Sequence, residues 1–189
     1  MLPSRKPKAW PRLSSREIYR NAWLRVQIDR VLLPDGTPYD YTVLHRTTDG
    51  VAALVFDDQQ RILLEREYRY PVDAVIWQLP GGLLNPDEEA LPAMQRELAE
   101  ETGYEAENWE RLGVFWDNPA LSDMQIHLFL ARGARASAQT NFDTAEYIET
   151  VWQSWDWVMQ SVRTGEIKER VLLSALGMLL ARGEPVFSG

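Results

Sequence analysis

PGGLLNPDEEALPAMQRELAEETGY, running from Pro80 to Tyr104, is the stretch from which the rest of the chain can be read. Within it Gly82, Glu88, Arg96, Glu97, Leu98, Glu100, Glu101, Gly103 and Tyr104 stand in the order G-x5-E-x7-R-E-U-x-E-E-x-G-U, where U is apolar or aromatic. Pro92 is tolerated only in the first turn of a helix. The helix is therefore expected to begin near Glu88 to Leu91 and to end at Gly103, a residue suited to a left-handed C-cap. At about 100° per residue, Leu91, Met94 and Leu98 fall within about 60° and form a stripe for burial. Glu97, Glu100 and Glu101 share an arc of about 100° beside that stripe.

Three carboxylates this close repel one another, and no Lys lies within the helix. Arg96, next to Glu100 around the helix, relieves only part of the charge. A divalent cation would relieve the rest. Hard oxygen donors, with no Cys in the chain and no His nearby, select Mg²⁺, or Mn²⁺ as a substitute, over Zn²⁺. The competing reading of an acid-rich helix is a solvated face. Gly81 and Gly82 weigh against it, because they let backbone approach a ligand closely, ahead of a helix N-terminus whose dipole favours anions.

The nine specified positions match the signature of the Nudix hydrolases, and the chain resembles that family at each of them. The resemblance implies hydrolysis of a nucleoside diphosphate linked to another moiety. It makes Glu97, Glu100 and Glu101 the expected metal ligands, with the Gly81 carbonyl as an extra one. Arg96 would orient the carboxylates, and Glu88 would stand behind them.

Around this stretch the pattern is strand-rich. Residues 1–17 are Pro- and Lys/Arg-rich without apolar periodicity and are expected to form a flexible basic arm. Residues 18–48 read as an N-terminal antiparallel β-hairpin: Trp23 to Val31 nearly alternates, Pro34-Asp35-Gly36 turns, and Tyr39 to His45 alternates again. Residues 49–189 are expected to form the Nudix hydrolase domain. Val51–Phe56, Arg61–Tyr68, Val75–Leu79, Arg111–Trp116, Met124–Ala131 and Ile148–Trp152 read as its strands, and Ser154–Arg163 and Lys168–Arg182 as closing helices. The class is α+β; with the resemblance, a Nudix fold of a mixed sheet sandwiched between helices.

Within the family the chain looks most like the ADP-ribose pyrophosphatase branch of nucleotide-sugar hydrolases. The hairpin AWLRVQIDRVLLPDGTPYDY, the strand end Glu67-Tyr68-Arg69, Pro119 at 16 residues after Gly103 with Ser122-Asp123 following, and the ending TGEIKERVLLSALGMLLA carry that likeness. It departs where Ala120 replaces the usual Gly after the marker proline and where Met124 replaces an acid. Both departures fall in the loop expected to face the substrate, so they bear on which sugar or base is preferred. The branch implies base stacking from Trp23 and Tyr41, with Arg46 added, a phosphate or ribose contact from Arg69, and a substrate contact at Ser122. The alternatives are interface or core aromatics for the first two and a surface ion pair for Arg69. A general base is expected in the loop before the last strand, Glu146 first and Asp143 second. The branch also implies a homodimer formed through the hairpin.

Composition sets the outer bounds. A net charge of −8 argues against nucleic-acid binding. No apolar run approaches the roughly 18 residues of a membrane span. The absence of cysteine favours a cytoplasmic location. His45 and His127, the only histidines, lack zinc-ligand spacing and receive no catalytic role. ADP-ribose is the expected substrate. GDP-mannose, other sugar nucleotides and dinucleoside polyphosphates are alternatives, and a non-catalytic nucleotide-sensing module is the alternative of a different class.

Overall fold

The computed structural model describes residues 7–137 and 148–183. They divide into two compact units: residues through Thr47 with Trp116–Met124, and Thr48–Phe115 with the chain from Gln125 onward.

The first unit is a three-stranded antiparallel sheet in the order β1-β2-β3, with β1 at Arg12–Arg20, β2 at Leu24–Leu32 and β3 at Pro38–Arg46. The hairpin β2–β3 is paired without slippage from Leu24↔Arg46 to Leu32↔Pro38. Its turn is set by Gly36 at φ 87° and by the Asp35 carboxylate, which accepts the Thr37 N–H at 2.9 Å. The flexible arm expected through residue 17 is corrected here from Arg12 onward, where β1 begins. RLSSREIYR is exposed along its whole length, so backbone pairing with β2 and the Arg12–Asp29 ion pair at 3.5 Å hold it, not burial. A strand with no buried face leaves no hydrophobic period to read.

The loop 116–124 is bound into this same unit by β3. Leu44 N–H donates to the Leu121 carbonyl at 2.8 Å, and the Tyr41 hydroxyl donates to the Ala120 carbonyl at 2.6 Å. His45 Nδ1 lies 2.7 Å from Asp123 Oδ2.

The second unit holds a six-stranded mixed sheet. In chain order its elements are β4 (Gly50–Phe56), β5 (Ile62–Arg69), β6 (Ala74–Gln78), α1 (Ala90–Thr102), β7 (Tyr104–Trp116), β8 (Gln125–Ala136), β9 (Glu149–Gln153), α2 (Trp155–Thr164) and α3 (Arg170–Ala181). The strand order is β6-β5-β4-β8-β7, with β9 also paired to β5. β4 and β8 run parallel, and every residue of β4 is buried, as expected of a central strand covered on both faces. Val51, Ala53 and Val55 pack with Leu63, Phe129 and Ala131 against Ala93, Met94 and Leu98 of α1. The alternate residues Ala52, Leu54 and Phe56 turn the other way, and α3 also meets β4. Of the expected stripe on α1, Leu91 is only partly buried, and Ala93 takes the central place.

The closing helices are capped locally. Ser154 Oγ accepts from Trp157 N–H at 3.2 Å, and the Glu169 carboxylate accepts from the N–H groups of Val171 and Leu172. Trp77 and Trp157 meet edge to face at 5.0 Å, and Trp152 meets Tyr104 at 5.2 Å, so these tryptophans are structural. Among the described residues, no helix is long and apolar enough to cross a membrane.

Candidate active site

The turn after β6 is laid along β4. Val51 N–H donates to Gly82 O at 2.9 Å and Ala53 N–H to Pro80 O at 3.1 Å, while Gly50 bridges Leu83. The carbonyls on either side of Gly81 thus serve this ladder, and Gly81 N–H instead donates to Glu101 Oε2 of α1 at 2.9 Å. The approach leaves no room for side chains. A Cβ on Gly81, at φ 154°, would lie 2.2 Å from Val51 O, and one on Gly82 would lie 2.6 Å from the Glu97 carboxylate. The glycine pair therefore faces the second half of α1. It does not lead directly into the helix N-terminus, because residues 83–89 intervene before Ala90, so the anion-binding role expected from the helix dipole is not what these glycines are placed to serve.

On α1 the acids are organised by one arginine. Arg96 Nε and Nη2 take both oxygens of Glu88 at 3.0 and 2.9 Å; Nη1 reaches Glu97 at 2.8 Å and Glu100 at 3.0 Å. Nη2 also meets Leu83 O at 3.3 Å. Arg96, with the Asn85 N–H, holds the Glu88 carboxyl down at about 2. Glu88 in turn, more than the other acids, raises Arg96 further above its ordinary range. The arginine is thus a permanent cation with fixed direction, suited to orienting carboxylates.

Beside the glycine turn, β5 and β6 join Glu67 and Arg69 to two residues that the sequence reading passed over, Glu65 and Gln78. Glu65, Glu67 and Arg69 lie on one face of β5, two residues apart. Glu65 is fully buried, and its Oε2 accepts from Gln78 Nε2 at 3.2 Å. Gln78 Nε2 also donates to Glu67 at 2.8 Å, while Gln78 Oε1 accepts from Arg69 Nε at 3.0 Å. Arg69 Nη2 closes the group on Glu67 at 2.9 Å. An alternating acid-acid-base run directly behind Ile62-Leu63-Leu64 was the available signal, since a period of two puts all three charges on one side.

Burial raises the Glu65 carboxyl from 4.5 to about 7; the Gln78 hydrogen bond opposes the rise, and the Glu67 charge adds to it. A carboxyl that holds its proton more tightly folded than unfolded costs stability as pH climbs from about 4.5 to about 7, and the cost is constant above that. Glu65→Gln keeps an acceptor for Gln78 without the charge. In EDTA its urea midpoint is expected to match wild type near pH 4 and to exceed it at pH 8, by about 1–3 kcal/mol of stability. Midpoints that track each other from pH 4 to pH 8 would contradict the buried, proton-binding Glu65.

Residues 46–175 match the NUDIX domain model, and residues 10–44 match the nucleoside diphosphate sugar hydrolase N-terminal domain. The chain belongs to the Nudix family. It is a Nudix pyrophosphohydrolase. The methanol dehydrogenase activator of Bacillus methanolicus is 27% identical to it over 168 residues, covering 88% of this chain and 90% of that one. The ADP-ribose pyrophosphatase of Bacillus subtilis is 25% identical over 156 residues, covering 82% and 84%. A crystal structure of an ADP compounds hydrolase superposes with a TM-score of 0.83, covering 94% of this chain and 96% of that one. At 20% identity that last likeness is one of fold.

Nudix hydrolases generally use a divalent metal, and the donor chemistry here fits one. The Nudix helix offers Glu97, Glu100 and Glu101, all hard oxygen donors, opposite a glycine whose missing side chain would occupy the space at Glu97. Glu97 and Glu100 accept from Arg96, and Glu101 accepts from Gly81 N–H; among the described residues no three such groups stand as a ready ligand array.

The remaining expected residues belong to the first unit. Trp23, 62% exposed, precedes β2, and its carbonyl accepts Thr47 N–H at 3.3 Å. That places it at the same end of the sheet as Arg46, which pairs with Leu24. Tyr41 is five residues back along β3, about 17 Å by strand rise, and on the opposite face. Its ring meets Trp10 and Tyr39 edge-on, each at 6.2 Å, and its hydroxyl is bound to Ala120. Trp23 and Arg46 thus stand at one end of the sheet, and Tyr41 lies further along it. Ser122 Oγ accepts from Met124 N–H at 3.2 Å, shaping the loop. His127 approaches Asp49 at 3.4 Å, and Asp49 also accepts Gln125 N–H. Glu146 and Asp143 lie outside the described residues.

Proposed function

We propose that this Nudix enzyme hydrolyses the pyrophosphate bond of a nucleoside diphosphate derivative with Mg²⁺ as its cation, Mn²⁺ substituting, and that ADP-ribose is its leading substrate. The products are AMP and ribose 5-phosphate, water adding across the P–O–P link. One observation carries the reading: a complete Nudix helix facing the Gly81-Gly82 turn, in a chain whose residues 10–44 match the N-terminal domain of nucleoside diphosphate sugar hydrolases.

When bound, such a cation neutralises diphosphate charge and acidifies a nearby water. Glu97, Glu100 and Glu101, with the Gly81 carbonyl, would hold it. Arg96 holds Glu97 and Glu100 on its Nη1, and Glu88 anchors its Nε and Nη2. Arg69, its side chain 47% exposed, suits a phosphate oxygen. Trp23 and Arg46 offer a stacking face and a cation at one sheet end.

Alkaline phosphatase releases inorganic phosphate from AMP and ribose 5-phosphate but not from ADP-ribose. Coupled release across ADP-ribose, GDP-mannose and dinucleoside polyphosphates, with and without Mg²⁺, is expected to be highest for ADP-ribose and to vanish in EDTA. A higher rate on another member of the panel reassigns the substrate, and no release from any of them sinks the hydrolytic reading.

We also propose a homodimer formed through the N-terminal sheet. Its support is the exposure of Leu13, Ile18 and Tyr19 on β1, with Trp23 and Tyr39 beyond it. Light scattering at micromolar concentration is expected to give twice the chain mass of 21.8 kDa; a monomer there removes the proposal.

A further inference from the structure

We propose that Gln78 is a positioning residue that aims the Arg69 guanidinium at the substrate phosphates; this rests on the reading above, in which Arg69 meets phosphate. Gln78 ends β6, is buried, and stands two residues before Pro80. Its single amide serves three ionisable neighbours: Nε2 donates to Glu65 at 3.2 Å and to Glu67 at 2.8 Å, and Oε1 accepts from Arg69 Nε at 3.0 Å. The ion pair of Arg69 Nη2 with Glu67 at 2.9 Å would by itself fix one point and leave the planar group free to rotate. Two anchors on different nitrogens fix the plane, so the guanidinium is held from the sheet side and presents its remaining edge outward.

The residue type matters. A carboxylate at position 78 would set a third anion against Glu65 and Glu67 and could give neither of them an N–H. An apolar side chain would leave both acids and Arg69 Nε short of a partner in a buried place. An amide has two N–H groups to give the acids and a carbonyl to accept from the arginine at once.

The test uses the full chain with ADP-ribose and Mg²⁺, comparing Gln78→Met, which conserves volume, with Arg69→Ala and the double variant. Gln78→Met is expected to raise KM about tenfold or more with a smaller change in kcat, Arg69→Ala to raise it at least as much, and the double variant to be no worse than Arg69→Ala. A residue that merely fills space would give additive penalties, and additivity or a wild-type KM in Gln78→Met overturns the proposal. A second measurement needs no Gln78 variant. In wild type without substrate, the Arg69 Nε–H resonance, assigned by its loss in Arg69→Ala, is expected to exchange slowly with solvent and to stay slow in Glu67→Gln; rapid exchange in either overturns it. The two readings fail differently. No hydrolysis by wild type sinks the functional reading while the Nε–H signal still decides the hold of Gln78 on Arg69. A wild-type KM in Arg69→Ala sinks the aim at phosphate and leaves hydrolysis standing.

Discussion

Glu101→Gln is expected to keep the fold and to lower Mg²⁺-dependent hydrolysis about a thousandfold. The two halves of that result come from different oxygens' worth of chemistry. Glu101 Oε2 accepts the Gly81 N–H at 2.9 Å, and a glutamine carbonyl can accept the same bond, so the turn stays docked on the helix. What disappears is a full negative charge at the place where a cation and a diphosphate would meet. Charge stabilisation by a metal is worth several kcal/mol in such reactions, and each 1.36 kcal/mol is tenfold in rate, which gives about three decades. Melting curves and coupled phosphate release on the same preparation check it. Turnover within about threefold of wild type, with an unchanged melting temperature, would remove Glu101 from the chemistry, since threefold is under 1 kcal/mol.

The second large effect is on the fold. Gly81→Ala puts a methyl group 2.2 Å from Val51 O and 2.7 Å from Ala52 Cα, both backbone atoms of the fully buried β4. It does so at φ 154°, which L residues rarely adopt. Neither the strand nor the turn can yield without breaking the bonds from Val51 and Ala53 to Gly82 and Pro80. Strain and overpacking together are expected to cost about 3–5 kcal/mol. That is a large share of an ordinary domain's stability and lowers the melting temperature on the order of 10 °C. Calorimetry on the metal-free protein reads it directly, and a shift under about 2 °C would mean the turn is not pressed against β4 as described. Gly82 is a contrasting neighbour. Its added Cβ would meet the flexible end of Glu97, so the disturbance would fall on a carboxylate's position instead of on the backbone.

What was legible in the sequence follows from which features leave a local trace. The helix Ala90–Thr102 announced itself through Pro92, the Met94–Leu98 stripe and the Gly103 cap, all properties of adjacent residues. The hairpin β2–β3 did so by alternation around Asp35-Gly36. β1 left no trace, because a strand exposed on both faces has no period. The docking of Gly81 and Gly82 on the far half of the helix is tertiary, and the seven residues between the turn and Ala90 hide it. Gln78 looked like an ordinary strand end, and only the pairing Glu65↔Gln78 shows it beneath the charges of β5. Tyr41 is the kind of residue a base stacks on, yet its hydroxyl is bound to Ala120 and its ring packs against Trp10 and Tyr39.

The attachment of loop 116–124 to β3 decides what can be transplanted between relatives. Leu44, Tyr41 and His45 each hold a different point of that loop, at Leu121, Ala120 and Asp123. A foreign loop spliced in alone would have to offer two carbonyls and a carboxylate in the same places, or leave the strand's N–H and hydroxyl with nothing to donate to. Segments some 80 residues apart in the chain therefore travel as a single cassette, and a chimera meant to change substrate preference is best cut on both sides of β3 as well as around the loop.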